Sequence, residues 1–112
     1  MRIEIPYPPA KLSPNSGGNW RSKQAVMEKF RNDCYLIGKA NPATFNNGDI
    51  QMVMLANMRE NADLDNLLAS CKRGIDSLCK AWGVDDKRLN PIVLVRVGKG
   101  KKIILEFSQK TV

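Results

Sequence analysis

Residues 63–86 read DLDNLLASCKRGIDSLCKAWGVDD, and the period of this stretch decides the fold. At 100° per residue, Leu67, Leu68, Cys71, Ile75, Leu78, Cys79 and Trp82 fall within about 60° of one direction. An apolar stripe of that length is the mark of an amphipathic helix, expected here from Asn66 to about Trp82. Gly83 should end it, because glycine enters the left-handed conformation that closes a helix without strain. Acids bracket the helix, Asp63 and Asp65 before it and Asp85 and Asp86 after it.

Working outward, Ile50 to Met58 is an apolar run without Pro or Gly and reads as a central strand, broken by Arg59 to Ala62. Downstream, Pro91 to Val97 reads as a strand. Gly98-Lys99-Gly100 reads as a hairpin turn, with Lys102 to Phe107 as the paired strand. Upstream, Arg2 to Tyr7 alternates as a first strand ended by Pro8 and Pro9, and Lys11 to Asn19 (KLSPNSGGN) is a loop. Trp20 to Lys39 is a second helix, its Val26, Met27, Phe30, Cys34 and Ile37 sharing an arc of about 100°. Asn41 to Gly48 is another loop, with Asn47-Gly48 as its turn. The order β-α-β-α-β-β predicts the α/β (α+β) class: one small domain over residues 1–112, a mixed sheet with two helices packed against it. Strand pairing beyond the last hairpin is not determined at this level.

A chain of 112 residues has room for one domain, and its 43% hydrophobic and 26% charged residues are an ordinary globular balance. The stability margin of so small a core is thin, so association with a second copy would help. Eighteen Lys and Arg against eleven Asp and Glu give a net charge of +7, which favours polyanionic partners, nucleic acid first. No run approaches the ~20 apolar residues of a membrane span. The N-terminal MRIEIPYPPAKLSP has no apolar core of an export signal. With three cysteines, an odd number, this predicts a cytoplasmic protein with reduced thiols. Cys34, Cys71 and Cys79 show no CxxC spacing and the chain has no histidine. Zinc is therefore not expected, and Ser-His, Cys-His and histidine proton-transfer chemistry is excluded. Enzyme chemistry would have to rest on carboxylates, lysines and a metal.

The acids are the candidates. In extended chain, Asp63 and Asp65 point to one side, at the boundary between strand and helix. Taken singly, each acid has an ordinary explanation: Asp65 or Asn66 as helix cap, Asp85-Asp86 as a turn. Four acids flanking one helix in a protein of net charge +7 suggest more. Mg²⁺ takes hard oxygen ligands, usually one or two carboxylates with water and substrate phosphate, and phosphodiester cleavage uses such an ion. On the expected helix, Asp65, Ala69, Lys72 and Asp76 form one flank beside the buried stripe. Side chains lean toward the helix N-terminus, so Lys72 would point back toward Asp65, with room for a phosphate between them. The alternative is an ordinary Lys72–Asp76 pair at i, i+4. Trp20 and Trp82 read as packing residues rather than base-stacking platforms.

Asp63-Leu64-Asp65-Asn66-Leu67, the helix carrying Lys72 and Asp76, and then Asp85-Asp86 resemble the D-x-D-N … K … D … DD signature of RusA-type crossover-junction endodeoxyribonucleases. Pro8-Pro9 followed by Asn15 and a basic helix is similar to that family's N-terminal region, so the likeness covers nearly the whole chain. The resemblance implies a homodimeric nuclease that resolves four-way (Holliday) DNA junctions by paired nicks with Mg²⁺ or Mn²⁺. It implies metal binding by Asp63, Asp65 and Asp86, with Asp85 adjacent. The family's lysine, four residues after the second acid of DxD, falls on Ala69 here, a departure. Lys72 is carried into that role because its i+4 relation to Asp76 keeps the family's Lys–Asp spacing.

Two-fold symmetry independently suits paired cuts in a four-way junction. Lys11, Arg21, Lys23, Lys29, Arg31, Lys99, Lys101 and Lys102 are the candidate phosphate contacts. Neither a membrane nor a small-molecule cofactor is expected. The rival expectations are a non-catalytic basic nucleic-acid-binding module whose acids only cap and turn, and a related nuclease acting on flaps, other branched nucleic acid or RNA.

Overall fold

The structure, a computed structural model, describes residues 1–14 and 16–110. Its order is β1 (Arg2–Ile5), α1 (Trp20–Ala40), β2 (Ile50–Asn57), α2 (Leu64–Ala81), β3 (Leu89–Gly98) and β4 (Lys102–Ser108), with short 3-10 turns at Ala10–Leu12 and Asp86–Arg88. The expected β-α-β-α-β-β order and α+β class, with two helices and a mixed four-stranded sheet, are what the chain forms. Asn15, one of the residues carrying the N-terminal resemblance, lies outside the described residues.

The sheet runs β1-β4-β2-β3. β4 is antiparallel to both β1 and β2, while β2 and β3 are parallel, the crossover between them being α2. This corrects the expected hairpin. β3 and β4 are joined by three residues but do not pair with each other, because β2 lies between them. Gly100, at φ 131°, gives the link the conformation it needs to step over the end of β2. Met58 N–H donates to Gly98 O at 2.9 Å and Asn57 Nδ2 to Lys99 O at 3.3 Å, tying the link to that end. Turn chemistry marks where a chain reverses. Which strand it returns beside is decided by burial, and the wholly apolar inner face of β2 is best shielded by a neighbour on each side.

Alternation then sorts the core. Ile50, Met52, Met54 and Ala56 of β2 point under the helices with Ile3 and Ile5 of β1 and Ile103, Leu105 and Phe107 of β4. Phe30 and Cys34 of α1, and Leu67, Cys71, Ile75, Leu78 and Cys79 of α2, close the core from above. All three cysteines are free and buried, and burial pushes the Cys34 and Cys71 thiols up to about 12 and Cys79 to about 11. They serve as small apolar side chains. The helices meet at glycine: a Cβ on Gly74 would come within 2.6 Å of the Phe30 ring and 2.7 Å of Cys34 Sγ, and one on Gly38 within 2.8 Å of Ala81 Cβ.

α2 starts two residues earlier than the apolar period indicated. Asp63 is its N-cap residue, and Leu64 and Asp65 are already helical. At its end Gly83 adopts φ 69°, Val84 N–H donates to Cys79 O at 2.8 Å and Gly83 N–H to Lys80 O at 3.1 Å, the glycine stop the sequence called for. β1 ends at Ile5, before Pro6 rather than at Tyr7. No helix among the described residues is long and apolar enough to cross a membrane.

Candidate active site

Each acid around α2 takes its position from the helix. Asp63 occupies the N-cap without making a side-chain cap bond, and Asp65 sits in the first turn, where a negative charge meets the positive end of the helix dipole. Both are exposed. The early helix start undoes the expectation that the two carboxylates project together from extended chain, since Asp65 has turned with the first helical residues.

Lys72 does not lean toward Asp65. Its ammonium lies 3.4 Å from Asp76 Oδ1 and 3.4 Å from Asp86 Oδ2, one lysine shared by a carboxylate one turn on and another from beyond the helix end. The i, i+4 pair is thus present, joined by a second acid that helical spacing could not supply. Asp76 and Asp86 meet at that ammonium, close enough for each carboxyl to act on the other. Burial holds the Asp76 carboxyl above its ordinary range against the pull of Lys72, with Asp86 adding to the rise. Partial burial acts upward on Asp86 too, but bonds from Lys72 and Asp76 hold it below the ordinary range. The two carboxyls are thus pushed apart, Asp76 upward and Asp86 downward. Burial acts downward on Lys72, the two acids outweigh it, and the ammonium is held more firmly than usual.

Asp85 does the turn work: its Oδ1 accepts from Lys87 N–H at 2.9 Å, capping the 3-10 turn that presents Asp86 to Lys72. Asp76, absent from the metal-binding set implied by the resemblance, thus belongs with Lys72 and Asp86. The signal for it was its helical flank.

Within one chain the expected metal set does not converge. Asp65 and Asp76 are eleven residues apart on one helix, about 16 Å along its axis, and Asp86 keeps company with Asp76. Among the described residues no three acids, cysteines or histidines gather where they could hold an ion. Asp63 and Asp65 thus stand at the start of α2, and Asp86 beside Asp76 nearer its end.

The basic candidates divide by location. Lys99, Lys101 and Lys102 lie at the β3–β4 link, beside the Arg59–Ala62 turn that leads into Asp63. Arg96 donates to Arg59 O at 2.9 Å and to Ala62 O, so this end of the sheet and the start of α2 are bound together. Lys99 reaches Glu60 at 3.6 Å. On α1, Lys29 pairs with Asp33 and Arg31 with Glu28, Lys23 donates to Ser16 O, and Arg21 is exposed. Lys11 is exposed on the first 3-10 turn.

Of the two tryptophans, Trp82 packs as expected, edge-on to Phe107 at 5.1 Å, with Nε1 donating to Gly38 O and Asn41 O. Trp20 is 71% exposed, which corrects its reading as a packing residue. At the opposite end of β2 from the basic link lies a cleft of about 610 Å³, lined by Asn46, Asp49, Asn90 and Gln109 among others. Comparison with known proteins finds no match, neither a protein-family model that fits the chain nor a similar curated protein.

Proposed function

We propose that this protein is a Mg²⁺-dependent, structure-specific endodeoxyribonuclease of the RusA type that resolves four-way DNA junctions by paired nicks as a homodimer. The observation that carries the reading is the flank of α2. It runs from Asp65 through Lys72 to Asp76, gathers Asp86 from outside the helix, and begins beside a basic link bearing Lys99, Lys101 and Lys102. A net charge of +7 concentrates a polyanion at such a surface. The exposed lysines of the link suit phosphate contact. Lys72, poised between two carboxylates, can turn to a phosphate oxygen at little cost, since both of its present bonds are long and partly exposed. Mg²⁺, where bound, supplies an activated water and offsets charge on the leaving oxygen.

The test is incubation of a synthetic four-way junction with and without Mg²⁺. Symmetric nicks that require the ion support the reading, and an intact junction with both strands uncut rejects it. A second reading, a non-catalytic basic nucleic-acid-binding module, is favoured by the structural jobs of Asp85 and Lys72. It expects junction or RNA binding without cleavage, and no Mg²⁺ heat in calorimetry that is lost on replacing the acids. Cleavage of flaps in preference to junctions, in a panel of labelled substrates, would instead point to the related nuclease.

A further inference from the structure

Trp20 is exposed although it lies on the packing side of its helix. Gly38 of α1 stands against Ala81 of α2, and Gly74 of α2 against Phe30 and Cys34, so the two helices run parallel. At 100° per residue Trp20 is in phase with Gly38 and about 40° from Cys34, on the side of α1 that meets α2. Eighteen residues separate Trp20 from Gly38, and eighteen separate Asp63 from Ala81. Trp20 is therefore about level with Asp63, the N-cap of α2. Side chains lean toward the N-terminus of their helix, which carries the indole past the start of α2. The ring has the phase of a packing residue and no helix left to pack on, and it stays 71% exposed. Among the described residues no aromatic ring or ammonium stacks on its face.

Cations collect at the same end of the molecule. Arg21 is exposed beside Trp20, and Lys11 is exposed on the first 3-10 turn, which packs against both helices. Lys99, Lys101 and Lys102 lie beside the Arg59–Ala62 turn, which Arg96 ties to the sheet just before Asp63.

A protein partner or a membrane would cover an apolar patch. None continues from Trp20, whose neighbours Asn19, Arg21 and Gln24 are polar and exposed. Leu36, also exposed on α1, stands about 24 Å further along the axis. The exposed Val93 and Val95 are in register with Val53 and Leu55, on the sheet face away from the helices. A single ring among cations has a different complement. One nucleobase covers its face, and the phosphates on either side meet the ammonium and guanidinium groups.

We propose that Trp20 is a base-stacking residue, its indole capping an unpaired base of bound nucleic acid and so setting the adjoining phosphate at the Asp63 end of α2. Bases at the branch point of a junction suit it, since those already unpaired cost least to unstack. The inference rests on the nucleic-acid part of the functional reading and not on cleavage.

Tryptophan emission tests it, with Trp20→Ala supplying the signal of Trp82 alone. The probes are an oligothymidylate, a four-way junction and a long duplex. Strand and junction should quench the Trp20 signal, and the duplex should leave it unchanged. Trp20→Ala should weaken binding of strand and junction by about 10-fold, with duplex affinity preserved. Trp20→Phe should recover most of that loss, because a ring can stack, whereas Trp20→Leu should not. Arg21→Ala should instead weaken all three probes alike and lessen the salt dependence. Circular dichroism checks that each variant is folded, as expected for changes at exposed positions.

Equal losses on duplex and strand, or recovery with leucine, overturn the proposal. So does a shift of the Trp20 emission by phosphatidylglycerol vesicles with none by either strand or junction. Junction binding that ignores Trp20 overturns the stacking alone. A wild type that binds no nucleic acid overturns it together with the functional reading.

Discussion

The two flanks of α2 belong to one helix and obey opposite constraints. The flank toward α1 carries Gly74, because the Phe30 ring and Cys34 leave no space for a Cβ, and beside it Ser70 and Leu78 are buried. The flank away from α1 carries Asp65, Ala69, Lys72 and Asp76, all at least partly exposed. Packing dictates the first. Nothing in packing asks for the second, where Asp65, Lys72 and Asp76 alternate in charge and Asp86 joins them; under the proposed function this is the flank that works on the phosphate. A helix can thus be read as two separate surfaces, one selected by volume and the other by chemistry.

The sharpest break of that contrast should come from the charged flank. Asp86→Asn is expected to lower junction cleavage by about 100-fold or more, the scale of losing a group that works on transition-state charge. Asp85→Asn, whose carboxyl only caps a turn, should change cleavage by a few-fold at most. Single-turnover rates on a labelled junction compare the two. Asp65→Asn should likewise abolish cutting while junction binding survives or tightens, because repulsion of the phosphate is removed; a gel-shift titration beside the cleavage assay reads both.

The packed flank should respond in stability instead. Gly74→Ala is expected to cost about 1–3 kcal/mol from overpacking, less up to ~1 kcal/mol regained in helix propensity. Ala69→Gly on the charged flank should cost about 1 kcal/mol, through propensity alone. Urea unfolding midpoints separate these, and a stabilised Gly74→Ala protein would mean that the helices do not approach as closely as described.

Lys72→Met sharpens the contrast further, with stability expected to move by less than about 1 kcal/mol, since its partners are partly exposed. Cleavage should fall while junction affinity holds.

The smallest effect is in pH. Asp86 is held below its ordinary 3.8, so its stabilising contribution is present above that value and disappears as pH falls through the lowered one. Asp76 is held above 3.8, so its contribution has the opposite sense, present at low pH and lost as pH rises through its raised value. Lys72 is held above 10.5, so its contribution is complete below that value and lost at higher pH. The difference in stability between wild type and Asp86→Asn should accordingly shrink below pH 3.8. That between wild type and Lys72→Met should shrink above pH 10.5. Denaturation midpoints across pH measure both.

Much of this was legible from the chain alone, because it depends on residues close in sequence. The apolar period of Leu67 through Cys79 specified α2, Gly83 its stop, and Asn47-Gly48 the turn ahead of β2. The Lys72–Asp76 pair followed from helical spacing. The N-cap at Asp63 was missed although Leu64 falls on the apolar stripe, because Asp63-Leu64-Asp65 was read as extended chain and a cap residue reveals itself by backbone geometry.

What tertiary structure decided involves groups far apart in sequence. β2 separates β3 from β4 although a glycine-bounded link joins those two strands, because burying the inner face of β2 outweighs the local preference for a hairpin. Asp86 reaches Lys72 only because the chain folds back under α2 after Gly83. Local spacing sets the conformation of each element, but which flank meets a neighbour, and which acid meets a lysine, is a property of how the elements pack.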